Sequence, residues 1–202
     1  MQELDTESLI HDAKDGDQAA LAVLFERYRD RLRRMVDLRM DQRLNGRVDP
    51  SDVLQEAFID LAARLKDFER KGDLSFFLWL RLVTGERLLQ VHRRHLAAGM
   101  RDARKEVSIG QDGVPNASSV LLAGQLIGPL TSAAEKVIRA ETRAQLQATL
   151  DKLDDIDREV IALRHFEELS NLEVAAVLDL SPTAASNRYI RAIKRLKETL
   201  NQ

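Results

Sequence analysis

The sequence predicts an all-α protein: two helical domains joined by a flexible linker, the C-terminal one a helix-turn-helix. Three observations predict it. Apolar residues recur at three- and four-residue steps along most of the chain, the period of amphipathic helices. Glycine and proline gather in one stretch that lacks any period, between two regions that have one. Aromatics make up only 4% of residues, which disfavours a sheet-rich core. The expected division is residues 1–96, a linker over 97–131, and residues 132–202.

In the first region, Leu21, Leu24, Phe25, Tyr28 and Leu32 form an apolar stripe, and Asp17 is placed to cap the helix that carries it. A turn at "LNGRVD" leads into "PSDVLQEAFIDLAARLKDF". There Pro50 suits a helix start, while Val53, Leu54, Ala57, Phe58, Leu61 and Leu65 line the buried face. A further helix begins near Phe76 and carries "FFLWLRLVTGERLLQVHRRHL", with Phe77, Leu80 and Leu82 as expected core. The linker, interrupted by Pro115 and Pro129, holds a short apolar piece at "SSVLLAGQLI" that can form a helix.

The last region resolves into three helices. "DIDREVIALRHF" buries Val160, Leu163 and Phe166. Ser170 caps "NLEVAAVLD", a tight turn follows at Asp179–Leu180, and Ser181 caps a final helix opened by Pro182. Two such helices and their turn make a helix-turn-helix, with small Ala175 where they cross. On a helical wheel Ala185, Tyr189, Ala192, Ile193, Leu196 and Leu200 face inward. Thr183, Ala184, Asn187, Arg188, Arg191, Lys194 and Arg195 face out. Five basic side chains lie between Arg188 and Lys197 with no acid among them, although the chain carries a formal charge of −2. The acids between Asp151 and Glu173 offset them. Such a face suits a major groove, polar residues near base edges and basic ones on phosphates.

The remaining composition narrows the classes. Near-neutral charge argues against a protein that coats nucleic acid over its whole surface. The absence of cysteine excludes disulfides and cysteine-ligated zinc, and fits a reducing cytoplasm. The N-terminus is acidic without an apolar core, unlike a signal peptide, and no stretch reads as a membrane span. Asp49, Asp52, Gln55, Glu56 and Asp60 share the polar side of one helix. They make a docking surface better than a metal site, because no third element supplies a ligand. His92 and His95 share a helix face but lack further ligands, so no metal or cofactor is expected. Arg87, Arg93, Arg94 and His92 form a positive face beside aromatics, a design that grips unpaired nucleic acid, with Arg101, Arg104 and Lys105 adding charge.

Taken in order, these segments resemble a bacterial RNA polymerase sigma factor of the extracytoplasmic-function type. "DVLQEAFIDLAARL" is similar to the family's polymerase-binding helix, "FFLWLRLVTGERLLQVHRR" to its promoter-melting and −10-reading segment, and the stretch from Leu153 to Leu196 to its −35-reading domain. The resemblance implies a non-enzymatic, dissociable specificity subunit whose partners are core polymerase (β′ and β subunits) and promoter DNA. It admits an anti-sigma factor as well. It implies that Asp52, Gln55 and Glu56 bind polymerase, that Trp79, Arg87, Gln90, Arg93 and Arg94 lie at the −10 element, and that Thr183, Ala184, Asn187, Arg188, Arg191 and Lys194 lie at the −35 element. Glu86 and Gln90 stand where many members carry Asn and Asp, and Asp179, Pro182 and Ala185 alter the start of the reading helix. Base preference is therefore not carried over. The alternative is a helix-turn-helix regulator that binds an operator without polymerase.

Overall fold

A computed structural model describes residues 2–68, 75–96, 109–110, 112–127 and 135–200. The protein is all-α. Among the described residues its α-helices are α1 (Gln2–Lys14), α2 (Gln18–Arg39), α3 (Pro50–Arg64), α4 (Phe76–Leu96), α5 (Ser119–Ile127), α6 (Glu135–Asp151), α7 (Asp155–Ile161), α8 (Asn171–Val177) and α9 (Pro182–Leu200). Two compact units emerge from the contacts. One comprises Met1–Val36 and Gln42–Glu106, the other Asp37–Asp41 and Val107–Gln202.

In the first unit, Asp17 accepts hydrogen bonds from the Ala19 and Ala20 amides at 2.8 and 3.2 Å, so it starts α2 as its sequence position implies. Asp49 caps α3, accepting from the Ser51 amide at 2.7 Å, while the Asp52 carboxylate receives the Asp49 amide at 3.3 Å. This reciprocal pair satisfies donors that a helix start otherwise leaves orphaned. Leu24, Leu32, Val53, Leu54, Ala57, Leu61, Leu80 and Leu88 are buried. Burying each leucine contributes about 1.5–3 kcal/mol. Leu82, expected in this core, is exposed instead, because its neighbours Leu80, Arg81 and Val83 take the inward directions. An aromatic cluster spans α2 to α4: Phe68 lies 5.2 Å from Phe76 and 5.0 Å from Trp79, and the Tyr28 ring lies 5.6 Å from Phe77. The Arg31 guanidinium stacks 3.6 Å above Phe77.

The second unit is built around Leu122, Ala123, Leu146, Leu150, Leu153, Ile161, Ala162, Phe166, Ala192 and Leu196, with Leu38 in the same cluster. Helix α5 falls within the stretch read from sequence as a linker. Its Leu122 and Ala123 are fully buried, and the helix packs on α6. Arg39, Glu159 and Glu167 are buried together, Arg39 pairing with Glu159 at 2.6 Å and with Glu167. Glu159 also accepts the Ala117 amide. Arg158 donates to the carbonyls of Leu150 and Leu153 at 3.2 and 2.7 Å, closing the end of α6. After α7 the chain widens into a π-helical turn, Ala162–Phe166. That geometry is common where a helix absorbs an extra residue.

Ser170 and Glu173 form a second capping box at the start of α8. The Asp179 backbone is left-handed, φ 50°, which aspartate adopts at lower cost than most residues. The turn then delivers Ser181, whose hydroxyl accepts the Ala184 amide at 3.2 Å and caps α9. Ala175 and Ala185 are buried where α8 and α9 meet. Leu200, read as inward, is half exposed because the buried stripe of α9 ends at Leu196.

Candidate nucleic-acid interface

Helix α9 turns its buried stripe of Ala185, Ala192 and Leu196 to the core and leaves Thr183, Asn187, Arg191 and Lys194 exposed. Ala184 and Arg188 are half-buried beside them. This is the face the wheel outlines. Its arginines are not loose. The Asp157 carboxylate on α7, 1% exposed, accepts Arg188 Nη1 at 2.6 Å. It also accepts Arg191 Nη2 at 3.3 and 3.2 Å on its two oxygens. Asp154 stands 3.9 Å from Arg188. Lys194 reaches Glu198 at 4.0 Å, a solvated pair of little energetic weight.

The start of α9 is fixed from α8. Asn171 Nδ2 donates to the Pro182 carbonyl at 2.7 Å, while its Oδ1 accepts Arg164 Nη1 at 2.9 Å. The Arg164 guanidinium lies 5.0 Å above the Tyr189 ring. Thus the angle between α8 and α9 is held by a hydrogen-bonded bridge as well as by packing. Asp157 and Asn171 escaped the sequence reading. Their partners lie 31 and 34 residues away for Asp157 and 11 for Asn171, beyond any helical period. The run "DDID" showed that acids were plentiful there, but not which one turns inward.

In the first unit, the residues expected on two separate functions meet each other. Arg87 donates through Nε to Asp60 at 2.7 Å, through Nη2 to both Asp60 oxygens, and through Nη1 to Glu56 at 3.2 Å. This paired carboxylate environment raises the guanidinium pKa above its ordinary range, chiefly through the Asp60 hydrogen bonds. Arg94 Nη1 lies 3.6 Å from Glu56. Asp52 is exposed yet serves the α3 capping box. Gln55 is exposed, and so are Gln90, Arg93 and His95 on α4. His92, expected on the positive face with Arg93 and Arg94, is instead fully buried, since it follows Val91 on the core side of α4. Among the described residues, no group of three His, Asp or Glu side chains could hold a metal ion. Arg101, Arg104 and Lys105 lie outside the described residues.

Trp79 is half-buried, its ring packed 5.0 Å from Phe68 and 5.6 Å from Phe76. Ile59 was not singled out by sequence; it is 67% exposed on α3, one turn beyond Gln55. Asp52, Gln55, Glu56 and Ile59 line a shallow groove of about 380 Å³ together with Arg47 and Arg94. A large aliphatic side chain among carboxylates and an amide is a suitable centre for a protein contact. The period of α3 puts Ile59 off the apolar stripe, and that displacement was the available signal. No helix among the described residues is long and apolar enough to cross a membrane.

These features define an all-α protein with one acidic-apolar helix surface and one helix with an exposed basic side. The family model described as "ECF sigma factor" matches residues 3–202, essentially the whole chain. The sequence is 26% identical to the ECF RNA polymerase sigma-E factor of Escherichia coli K12 over 191 residues, 95% of this chain and 92% of that protein. It is 27% identical to the ECF RNA polymerase sigma factor SigW of Bacillus subtilis over 192 residues, covering 95% and 94%. Its fold is similar to that of CnrH, solved in complex with the cytosolic domain of CnrY. The TM-score is 0.57 at 25% identity, covering 98% and 97% of the two chains. The chain belongs to the ECF sigma factor family. It is a transcription-initiation factor.

Proposed function

We propose that α3 docks this sigma factor on core RNA polymerase, that α4 engages the −10 region of the promoter, and that α8 and α9 act as a helix-turn-helix reading the −35 element. The observation that carries the proposal is α9 itself: capped, braced by Asn171, and presenting Thr183, Asn187, Arg188, Arg191 and Lys194 on one side. Polar residues near the start of such a helix meet base edges, and later basic residues meet phosphates. The docking contact centres on Gln55 and Ile59, with Asp52 and Glu56 around them. At the −10 end, Gln90 and Arg93 are exposed and Arg94 keeps more than half of its side chain in solvent. Arg87 organises this end through Asp60 and Glu56, and Trp79 supports the aromatic cluster behind it. Promoter opening needs no bond chemistry in this account. Unpaired strand is held better than duplex, and both DNA-facing units act together only when polymerase presents them.

The partners are core polymerase and promoter DNA. CnrH is held in complex with the cytosolic domain of CnrY. That supports a protein partner for this chain as well, which we take to be an anti-sigma factor. The site of action is the cytoplasm. The test is run-off transcription with bacterial core polymerase and a genomic DNA library. Discrete starts that require the protein are expected, and they should be lost in the Gln55→Ala, Ile59→Glu double variant. These two are the better choice because Asp52 also caps α3 and Glu56 also holds Arg87. Operator binding by the protein alone, with no starts, would contradict the proposal.

A further inference from the structure

We propose that Asp157 is a positioning residue for promoter reading: it fixes the Arg188 and Arg191 guanidiniums and trades general attraction to DNA for discrimination of sequence. The inference rests on the reading of α9 as the DNA-contacting helix. Asp157 is almost fully buried, and the bonds that satisfy it come from α9, through Nη1 of Arg188 and Nη2 of Arg191. A buried carboxylate is tolerated only when paired and hydrogen-bonded, and here two cations share one anion. The two arginines sit three residues apart, so both can bend back toward one point on α7, and their side chains remain 27% and 51% exposed. Each guanidinium has five N–H groups, and Asp157 engages a single nitrogen of each.

Two consequences follow from the geometry. A guanidinium already held in place loses less freedom on binding, and its rigid fork matches base-edge or phosphate acceptors in one direction only. An unpinned arginine would follow any phosphate, whatever the sequence. The second consequence is charge. The trio carries net +1 instead of +2, which reduces the sequence-independent, counterion-driven part of binding. A chain with formal charge −2 and a basic helix thus carries a local restraint on that helix. A simple clamp between α7 and α9 would look the same in the structure, but it behaves differently when the charge is removed.

The experiment uses the full chain assembled with bacterial core polymerase. The probes are a duplex that this holoenzyme selects from a randomised library, and the same duplex with its upstream recognition block scrambled. Asp157→Asn keeps the shape and an acceptor oxygen but removes the charge. The ratio of affinities for the two duplexes should fall roughly tenfold. Affinity for the scrambled duplex should hold or rise, with its dependence on log salt steeper by about one. Arg191→Lys, on a half-exposed side chain, keeps the charge and loses the fork. It should lower the ratio while leaving the salt dependence unchanged. Asp157→Asn losing both duplexes equally would overturn the proposal in favour of a clamp. If that variant does not fold, Arg191→Lys decides: an undiminished ratio overturns the proposal. A wild-type holoenzyme that selects no sequence at all sinks the functional reading, and this inference with it.

Discussion

Replacing Arg87 by methionine separates a structural role from a direct role at the −10 element. The side chain is 17% exposed and donates to Asp60 from two nitrogens and to Glu56 from a third. A fully solvated pair would contribute about 0.2–1 kcal/mol, and breaking a fully buried one would cost about 3–5 kcal/mol. Asp60 is 26% exposed and Glu56 38%, so the expected loss lies between these limits, about 2 kcal/mol. For a chain of this size that lowers Tm by about 4–8 °C. The guanidinium pKa is raised, so its contribution is complete at neutral pH and is lost only as pH rises through that value. The sole tryptophan, Trp79, lies in the same unit and reports its unfolding by fluorescence. A cycle with Asp60→Asn should return a coupling of about 1–2 kcal/mol. Promoter opening by Arg87→Met should then recover on lowering the temperature. A variant that unfolds like the wild type yet cannot open promoters would refute the argument and make Arg87 a direct DNA contact.

Other outcomes follow from individual contacts. Ser170→Ala removes one half of the α8 capping box and should cost about 1 kcal/mol, read by urea unfolding, with Ser170→Gly costing less. Leu122→Ala in α5 should cost about 2–5 kcal/mol in the second unit, because the side chain is fully enclosed. No loss there would mean α5 does not belong to that core. The Asp49 carboxyl is held below its ordinary 3.8, first by the Ser51 amide. Its capping contribution is therefore present above that value and lost as pH falls through the depressed one. The Ser51 amide resonance should titrate with a midpoint below 3.8, and a midpoint at or above it would contradict the cap.

The parts legible in the sequence are those written in local period and capping chemistry. Asp17, Ser170 and Ser181 cap the helices they were read to cap, and Asp179 takes the left-handed backbone at the turn. The inward stripes of α2, α3 and α9 follow the 3.6-residue period up to Leu196. What local pattern could not show were pairings across tens of residues. Arg87 looks like a free cation until Asp60 and Glu56 are brought to it, and Asp157 looks like one more surface acid until α9 crosses α7. His92 is covered because it falls beside buried Arg81 on the wheel of α4, and Leu82 is exposed because it lies about 200° round the helix from buried Leu80. The Asp52 and Glu56 carboxylates carry two duties each, capping or bracing as well as lining the groove, and sequence spacing displays only one.

Run-off transcription with bacterial core polymerase, the intact protein and a genomic DNA library tests the central claim most directly. Discrete transcripts that appear only with the protein, and disappear with Gln55→Ala, Ile59→Glu, are what a sigma factor docked through α3 gives. Transcripts that persist at full strength with that variant would contradict the docking surface, and an absence of protein-dependent starts would contradict promoter direction itself.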